Sequence, residues 1–206
     1  MHLLSDDSPR LPTLVVVSGP PATGKTTLAH SLAHELGCPA IIRDEIKQGM
    51  VMSTAVHKPG GDDPLNIPAM HAFFDTLRVL LEAGVTVVAE AAYQDRLWRP
   101  GLEPLTKIAD LRIIRCTTPT PTIIERMTER ADSDRHRAAH GDRQLLTDIA
   151  VGAYSPEGFV DISLDAPTLL VDTSDGYRPG ATEIGAFIRG RWPQSGRQPR
   201  GCVHAP

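Results

Sequence analysis

The run GPPATGKT at residues 19–26 is the segment that most restricts the fold of this chain. It matches the pattern G-x-x-x-x-G-K-[S/T] at every specified position, and the β-branched run TLVVV lies just before it at residues 13–17. Glycines in such a turn let backbone N–H groups approach a phosphate, and the N-terminus of the following helix adds partial positive charge. The segment therefore predicts a phosphate-binding loop (P-loop) between a buried strand and a helix.

Within this loop the residue types indicate a nucleotide with its metal ion. Lys25 is expected to reach the β- and γ-phosphates of ATP, and the Thr26 hydroxyl is expected to ligate Mg²⁺. The alternative is a glycine turn that binds no ligand, but the strand before the motif and the helical pattern after it favour nucleotide binding. The candidate nucleotide-binding residues are Gly19, Pro20, Pro21, Ala22, Thr23, Gly24, Lys25, Thr26 and Thr27.

Short apolar runs alternate with helical patterns along the chain, which is typical of an α/β fold. We predict a three-layer sandwich in which helices flank a five-stranded, mostly parallel sheet. Strands are predicted at residues 13–17, 40–42, 85–89, 111–116 and 168–172, and helices at 24–36, 67–84, part of 97–107, 121–131, around 145–149 and 182–189. A long loop is predicted over residues 51–68, where three prolines, two glycines and two adjacent aspartates occur.

Composition restricts the partners and the organisation of the chain. Its 206 residues carry a net charge of −4, and only 4% are aromatic, so nucleic acid is the less favoured partner. No apolar run approaches the about 20 residues that span a bilayer, and no secretory leader or disulfide framework is visible, so a cytoplasmic protein is expected. We predict an N-terminal extension at 1–12, one domain at 13–189, and a flexible tail at 190–206 that is rich in Gly, Pro and Arg.

An acidic residue follows the predicted second strand. Asp44 comes just after Ile42, at the edge of the sheet where open α/β folds bind ligands. A carboxylate there can accept the proton of a substrate hydroxyl. The alternative role for Asp44 is capping a helix N-terminus. Arg43 is a candidate for holding substrate, or for pairing with Glu45 or solvent.

The third predicted strand also ends in an acid. Glu90 follows VTVVA, the arrangement of a Walker B carboxylate that holds Mg²⁺ directly or through water. The alternative is an acid that merely ends a strand. Arg96, six residues further on, is a candidate for contact with substrate or phosphate.

Arginines are concentrated in a segment at residues 125–143, which we interpret as a lid over the nucleotide. Arg126 and Arg130 are four residues apart and share one helical face, so they could clamp the phosphoryl group during transfer. The alternative is an exposed helix with ion pairs between these arginines and Glu125 or Glu129. Arg135, His136, Arg137 and His140 receive no individual role.

These segments together resemble the small AAA-type P-loop kinases of the zeta-toxin, chloramphenicol phosphotransferase and polynucleotide kinase group. The matching pieces are the P-loop, Asp44 in IIRDEIK, Glu90 in VVAEAAY and the run ERMTER at the lid position. The resemblance implies an ATP-dependent phosphotransferase that acts on a hydroxyl, with Asp44 as base. Many relatives have Asp where Glu90 stands, so both direct and water-mediated Mg²⁺ contact stay open.

The expected acceptor is the hydroxyl of a small molecule such as a sugar, an aminoglycoside or other antibiotic, or a nucleoside. Residues 51–68 are expected to determine acceptor specificity, and Asp62 and Asp63 would suit a cationic amino sugar unless they are solvated loop acids. The alternatives are a nucleoside monophosphate or polynucleotide 5′-hydroxyl kinase, and an ATP-binding regulatory module or ATPase without an acceptor. The preference for ATP or GTP and the oligomeric state stay open.

Overall fold

A five-stranded parallel sheet forms the centre of the structure. The computed structural model describes residues 11–54, 63–133 and 141–190. The strands are β1 (Thr13–Ser18), β2 (Ala40–Ile42), β3 (Val87–Glu90), β4 (Asp110–Thr117) and β5 (Thr168–Asp172). They lie in the order β2-β3-β1-β4-β5, and every neighbouring pair is parallel. The predicted α/β architecture is confirmed, and the sheet is parallel throughout.

Seven α-helices flank this sheet within the described ranges. They are α1 (Lys25–Leu36), α2 (Arg43–Met52), α3 (Asn66–Glu82), α4 (Asp95–Leu102), α5 (Thr120–Ser133), α6 (Asp142–Ala150) and α7 (Ala181–Ile188). Short 3₁₀ helices occur at Glu103–Lys107 and Pro156–Gly158. None of the helices that the structure describes has the length and apolar content needed to cross a membrane.

The apolar run of β1 is buried on both of its faces. Successive side chains of a strand point to opposite faces of the sheet. Leu14 and Val16 accordingly join a core cluster with residues of α3 and α4, while Val15 and Val17 join a second cluster with residues of α1 and α7. This double burial explains why the strand carries no alternating polar residues, and it fixes the P-loop at the end of a rigid element.

The structure corrects the bounds of two predicted segments. The loop predicted over residues 51–68 is shorter at both ends, because α2 continues to Met52 and α3 begins at Asn66. Pro68 is the third residue of α3, and the first turn of a helix tolerates proline because its N–H groups have no intrahelical partner. The third strand starts at Val87 rather than Val85, since the Val85 N–H donates to the Leu80 carbonyl and closes the turn after α3.

Some predictions lie outside the described residues. These are the greater part of the N-terminal extension, the tail from residue 191 onwards, and the lid residues Arg135, His136, Arg137 and His140. Asp62 lies outside them as well. The proposed division into an extension, a domain at 13–189 and a tail therefore stays a prediction.

Candidate active site

The carboxyl ends of three neighbouring strands bring the candidate residues together. β3 lies between β2 and β1, and Glu90 at its end is in register with Ile42 of β2 and Val17 of β1. The P-loop follows β1, and Asp44 follows β2. Parallel strands end at the same edge, so residues distant in sequence meet there.

The P-loop turns against β4 in a way that requires glycine. Gly19 has a φ of 140°, and a Cβ on it would lie 2.3 Å from the carbonyl oxygen of Cys116. Gly24, at the start of α1, has a φ of 74° in the left-handed region. These two positions fix the path of the loop between strand and helix.

Lys25 is buried and folds back across its own loop. Its Nζ donates a hydrogen bond to the Pro20 carbonyl at 2.8 Å and lies 4.0 Å from Oε1 of Glu90. An ammonium in this place puts positive charge beside the loop, and this charge adds to the positive field of the helix N-terminus. The arrangement is suited to holding a polyphosphate.

Thr26 and Glu90, the two predicted Mg²⁺ ligands, are in direct contact. The Thr26 hydroxyl donates to Oε2 of Glu90 at 2.9 Å. Burial raises the pKa of Glu90, an effect that the Lys25 ammonium opposes and the nearby Asp44 carboxylate reinforces. Asp44 therefore lies close enough to Glu90 for its charge to act on the Glu90 carboxyl group.

The oxygen atoms of this pair fit Mg²⁺. Mg²⁺ binds in proteins through one or two carboxylates together with substrate phosphates and waters. Among the described residues there is no group of three or more His, Cys, Asp or Glu side chains that could hold a metal alone. Thr26 and Glu90 would therefore hold the ion together with nucleotide phosphates, directly or through water.

Asp44 lies in the first turn of α2, with its carboxylate held by its neighbour. Ile42 occupies the N-cap position, so the alternative of Asp44 as the capping residue is wrong. Nη1 of Arg43 donates to Oδ1 of Asp44 at 2.9 Å, and Nη2 donates at 3.0 Å to both the carbonyl and the side-chain oxygen of Asn66. Arg43 thus connects the carboxylate to the start of α3. Glu45, one alternative partner considered for Arg43, pairs with His30 instead.

The two lid arginines have different surroundings. Arg126 donates to the carbonyls of Thr173 at 2.6 Å, Ser174 at 3.1 Å and Ala22 at 3.4 Å, so its guanidinium joins the P-loop to the segment after β5. Arg130 lies 3.5 Å from the Asp142 carboxylate of α6. Within the described residues, Arg126 therefore contacts backbone carbonyls and does not form the ion pairs with Glu125 or Glu129 that were considered as an alternative.

In the described ranges, Arg96 makes no contact that joins it to the other candidate residues. It lies exposed on α4, and no hydrogen bond or ion pair there joins it to another candidate residue. Its role in binding substrate or phosphate stays a prediction.

Comparison with known proteins places the chain in a family. A family model described as an AAA domain matches residues 14–151, a range that contains the P-loop, Asp44, Glu90 and both lid arginines. The chain belongs to the AAA domain family. No curated protein matches it.

Solved structures similar to this AAA domain include kinases and a chain of an RNA repair complex. A presumed kinase from Chloroflexus aurantiacus J-10-fl is 25% identical, with 88% of this chain and 97% of that chain covered and a TM-score of 0.73. A sugar kinase from Janibacter sp. HTCC2649 is 20% identical, with 79% and 86% covered and a TM-score of 0.52. A chain of the Pnkp1/Rnl/Hen1 RNA repair complex is 16% identical, with 77% and 52% covered and a TM-score of 0.53. The resemblance to small P-loop kinases is confirmed, and family and fold together support a nucleotide-binding P-loop kinase.

Thr173 is a residue of the candidate site that the sequence patterns did not indicate. It follows β5, is buried, and its hydroxyl donates to the Thr23 carbonyl of the P-loop at 2.7 Å. The available signal was a threonine directly after the last predicted strand, on the same sheet edge as the P-loop.

The expectation for Asp63 is wrong in both of its forms. Its carboxylate is fully buried and forms an ion pair of 2.6 Å with Nζ of Lys47 on α2. Asp63 is therefore neither a solvated loop acid nor an exposed anion for a cationic acceptor. The pair joins α2 to the segment that precedes α3.

Tyr93, three residues after Glu90, carries two unfavourable features. Its φ is 40°, which is unusual for a residue with a side chain, and its buried hydroxyl has no hydrogen-bond partner among the described residues. The ring packs edge-on against Phe73 and Trp98, with centroid distances of 6.0 and 5.0 Å. Burial raises the pKa of Tyr93 well above its usual value.

Proposed function

We propose that this chain transfers the γ-phosphate of ATP to a hydroxyl group of a small molecule, with Asp44 as general base. The observation that carries the proposal is the position of the Asp44 carboxylate. It lies at the sheet edge that also holds the P-loop, Thr26 and Glu90, and it is oriented by Arg43. A base is needed for a hydroxyl acceptor, whereas a phosphate acceptor is already ionised.

The proposed reaction is an in-line displacement. The acceptor oxygen bonds to the γ-phosphorus, its proton passes to the Asp44 carboxylate, and the bond to the β–γ bridging oxygen breaks, which releases ADP. Lys25 stabilises the negative charge on the phosphates from its place over the loop. Mg²⁺, held with the help of Thr26 and Glu90, would neutralise charge on the β- and γ-phosphates.

The basic residues of α2 support an acceptor without phosphate groups. Within the described ranges, Arg43 and Lys47 are the basic residues of α2, and they pair with the carboxylates of Asp44 and Asp63. A nucleoside monophosphate or a polynucleotide would require cations that can turn to its phosphates. A sugar, an aminoglycoside or a nucleoside requires only hydroxyl recognition and a base.

A screen for ADP release tests this function. The full chain is incubated with MgATP, or with MgGTP for comparison, and with sugars, aminoglycosides, nucleosides, nucleoside monophosphates or 5′-hydroxyl oligonucleotides. We expect release that depends on one class of small hydroxyl acceptor. Release that is independent of every acceptor would instead identify an ATPase, and stimulation confined to monophosphates or oligonucleotides would favour those alternative kinases.

A further inference from the structure

We infer that Thr173 is a positioning residue of the phosphate site, because its hydroxyl and the Arg126 guanidinium hold two P-loop peptide groups in the orientation that phosphate binding requires. The inference rests on the proposed nucleotide binding. It assigns to Thr173 a function through the P-loop backbone and not through contact with the ligand.

The Thr173 hydroxyl can donate one hydrogen bond, and two carbonyl oxygens lie within reach of it. Its Oγ1 lies 2.7 Å from the Thr23 carbonyl and 3.2 Å from the Thr117 carbonyl. The Thr117 carbonyl already accepts the backbone N–H of Thr173 at 2.9 Å, in continuation of the β4–β5 ladder. The hydroxyl therefore donates its hydrogen bond to the nearer acceptor, the Thr23 carbonyl, and so anchors Thr23 to the end of β5.

Arg126 anchors the preceding peptide group and Thr173 itself. Its Nη1 lies 3.4 Å from the Ala22 carbonyl, and its Nη2 lies 2.6 Å from the Thr173 carbonyl. Two successive carbonyls of the P-loop are thus held by residues that come from α5 and from the end of β5. Ile123 and Met127 of α5 also pack on Ala22, which keeps the helix against the loop.

Holding these two carbonyls in place also sets the orientation of the N–H groups that can bind phosphate. In a planar trans peptide the C=O of one residue and the N–H of the next point in opposite directions. Anchoring the carbonyls of Ala22 and Thr23 therefore directs the N–H groups of Thr23 and Gly24 to the opposite side. No hydrogen bond between described residues uses the N–H groups of Thr23, Gly24, Lys25 or Thr26 as donors, so they remain available to an anion.

The anchor matters because the loop contains Gly24. Glycine has more backbone conformations available than other residues, and ordering them on binding reduces affinity. The Thr173 hydroxyl removes part of this freedom before the nucleotide arrives. Loss of the hydroxyl should therefore weaken nucleotide binding even though the side chain does not touch the ligand.

Titration calorimetry of the full chain with MgADP tests the inference. Thr173→Val keeps the shape and removes the hydroxyl, whereas Thr173→Ser keeps the hydroxyl. Thr76→Val is a matched control, since the Thr76 hydroxyl donates to a backbone carbonyl at the same 2.7 Å distance, within α3. We expect about tenfold weaker MgADP binding for Thr173→Val, the size of one lost hydrogen bond, and changes within about twofold for the other two variants.

The outcomes separate this inference from the proposed function. Wild-type affinity in Thr173→Val would overturn the inference while leaving nucleotide binding intact. An equal loss in Thr173→Ser would show that packing and not the hydroxyl matters, and an equal loss in Thr76→Val would show a general effect of destabilisation, so either result would also overturn it. A wild-type chain that binds no MgADP would contradict the proposed function and the inference together.

Discussion

The Thr26 hydroxyl donates a 2.9 Å hydrogen bond to the Glu90 carboxylate, which joins the first turn of α1 to the end of β3. The two residues are 64 positions apart, and each is predicted to serve the same metal ion. Lys25 lies beside them, 4.0 Å from the other oxygen of the carboxylate. The contact joins the P-loop to the carboxylate at the end of the adjacent strand β3, as a shared Mg²⁺ site requires.

Thr26→Val should remove the effect of Mg²⁺ on nucleotide binding. Valine has nearly the shape of threonine but offers no oxygen to the metal. ADP affinity is measured by calorimetry with Mg²⁺ and with EDTA. We expect Mg²⁺ to tighten binding in the wild type and in Thr26→Ser but to have little effect in Thr26→Val, while the three proteins bind metal-free ADP within about twofold of one another. Equal Mg²⁺ dependence in all three would contradict the assignment.

Arg126→Met and Arg130→Met should have different effects. Arg126 holds the Ala22 and Thr173 carbonyls, so its loss should weaken MgADP binding by about tenfold, the size of one lost hydrogen bond. Arg130 is the remaining candidate for the phosphoryl clamp, so its loss should leave MgADP binding unchanged and lower the rate of transfer by about 10²-fold. Calorimetry and turnover are measured on both variants, and the reverse pattern would refute this division of roles.

Tyr93→Phe should leave the protein as stable as before or make it more stable. The change removes a buried hydroxyl that has no hydrogen-bond partner in the described ranges and keeps the ring that packs on Phe73 and Trp98. Removing a buried hydroxyl that lacks a hydrogen-bond partner raises the free energy of unfolding by about 1 kcal/mol or more. Urea denaturation measures it, and a loss of more than about 1 kcal/mol would indicate that the hydroxyl has a partner.

Lys47→Met and Asp63→Leu should each destabilise the protein by about 3 kcal/mol, because each removes the ion-pair partner of a buried charge. The double variant should lose less than the sum of the two, since it removes both charges of the pair. A double-mutant cycle by urea denaturation provides the measurement. Strictly additive losses would show that the ion pair does not couple the two positions.

The parts of the site that could be predicted are those encoded within a few residues. The P-loop is a contiguous motif, and Asp44 and Glu90 each follow a strand that is apolar enough to recognise. Because all of the strands are parallel, placing these residues at strand ends was sufficient to bring them to one edge.

The parts that could not be predicted depend on pairing across the fold. Thr173 meets Thr23 at a separation of 150 residues, and no local pattern distinguishes it from another threonine after a strand. Asp63 looks like a loop acid because its partner Lys47 comes from the helix before it. Arg126 resembled a phosphate ligand in its helical spacing, while its carbonyl partners are set by the packing of α5 on the P-loop.

The most direct test of the account compares transfer of ³²P from [γ-³²P]ATP to the best acceptor of the screen by the wild type, Asp44→Asn and the neighbouring control Glu45→Gln. MgADP affinity is measured on the same preparations. The account predicts a transfer rate lower by about 10²-fold or more for Asp44→Asn, with MgADP affinity within about twofold of the wild type and a near-native Glu45→Gln. Near-native transfer by Asp44→Asn, or an equal loss of MgADP affinity, would contradict the assignment of Asp44 as the base.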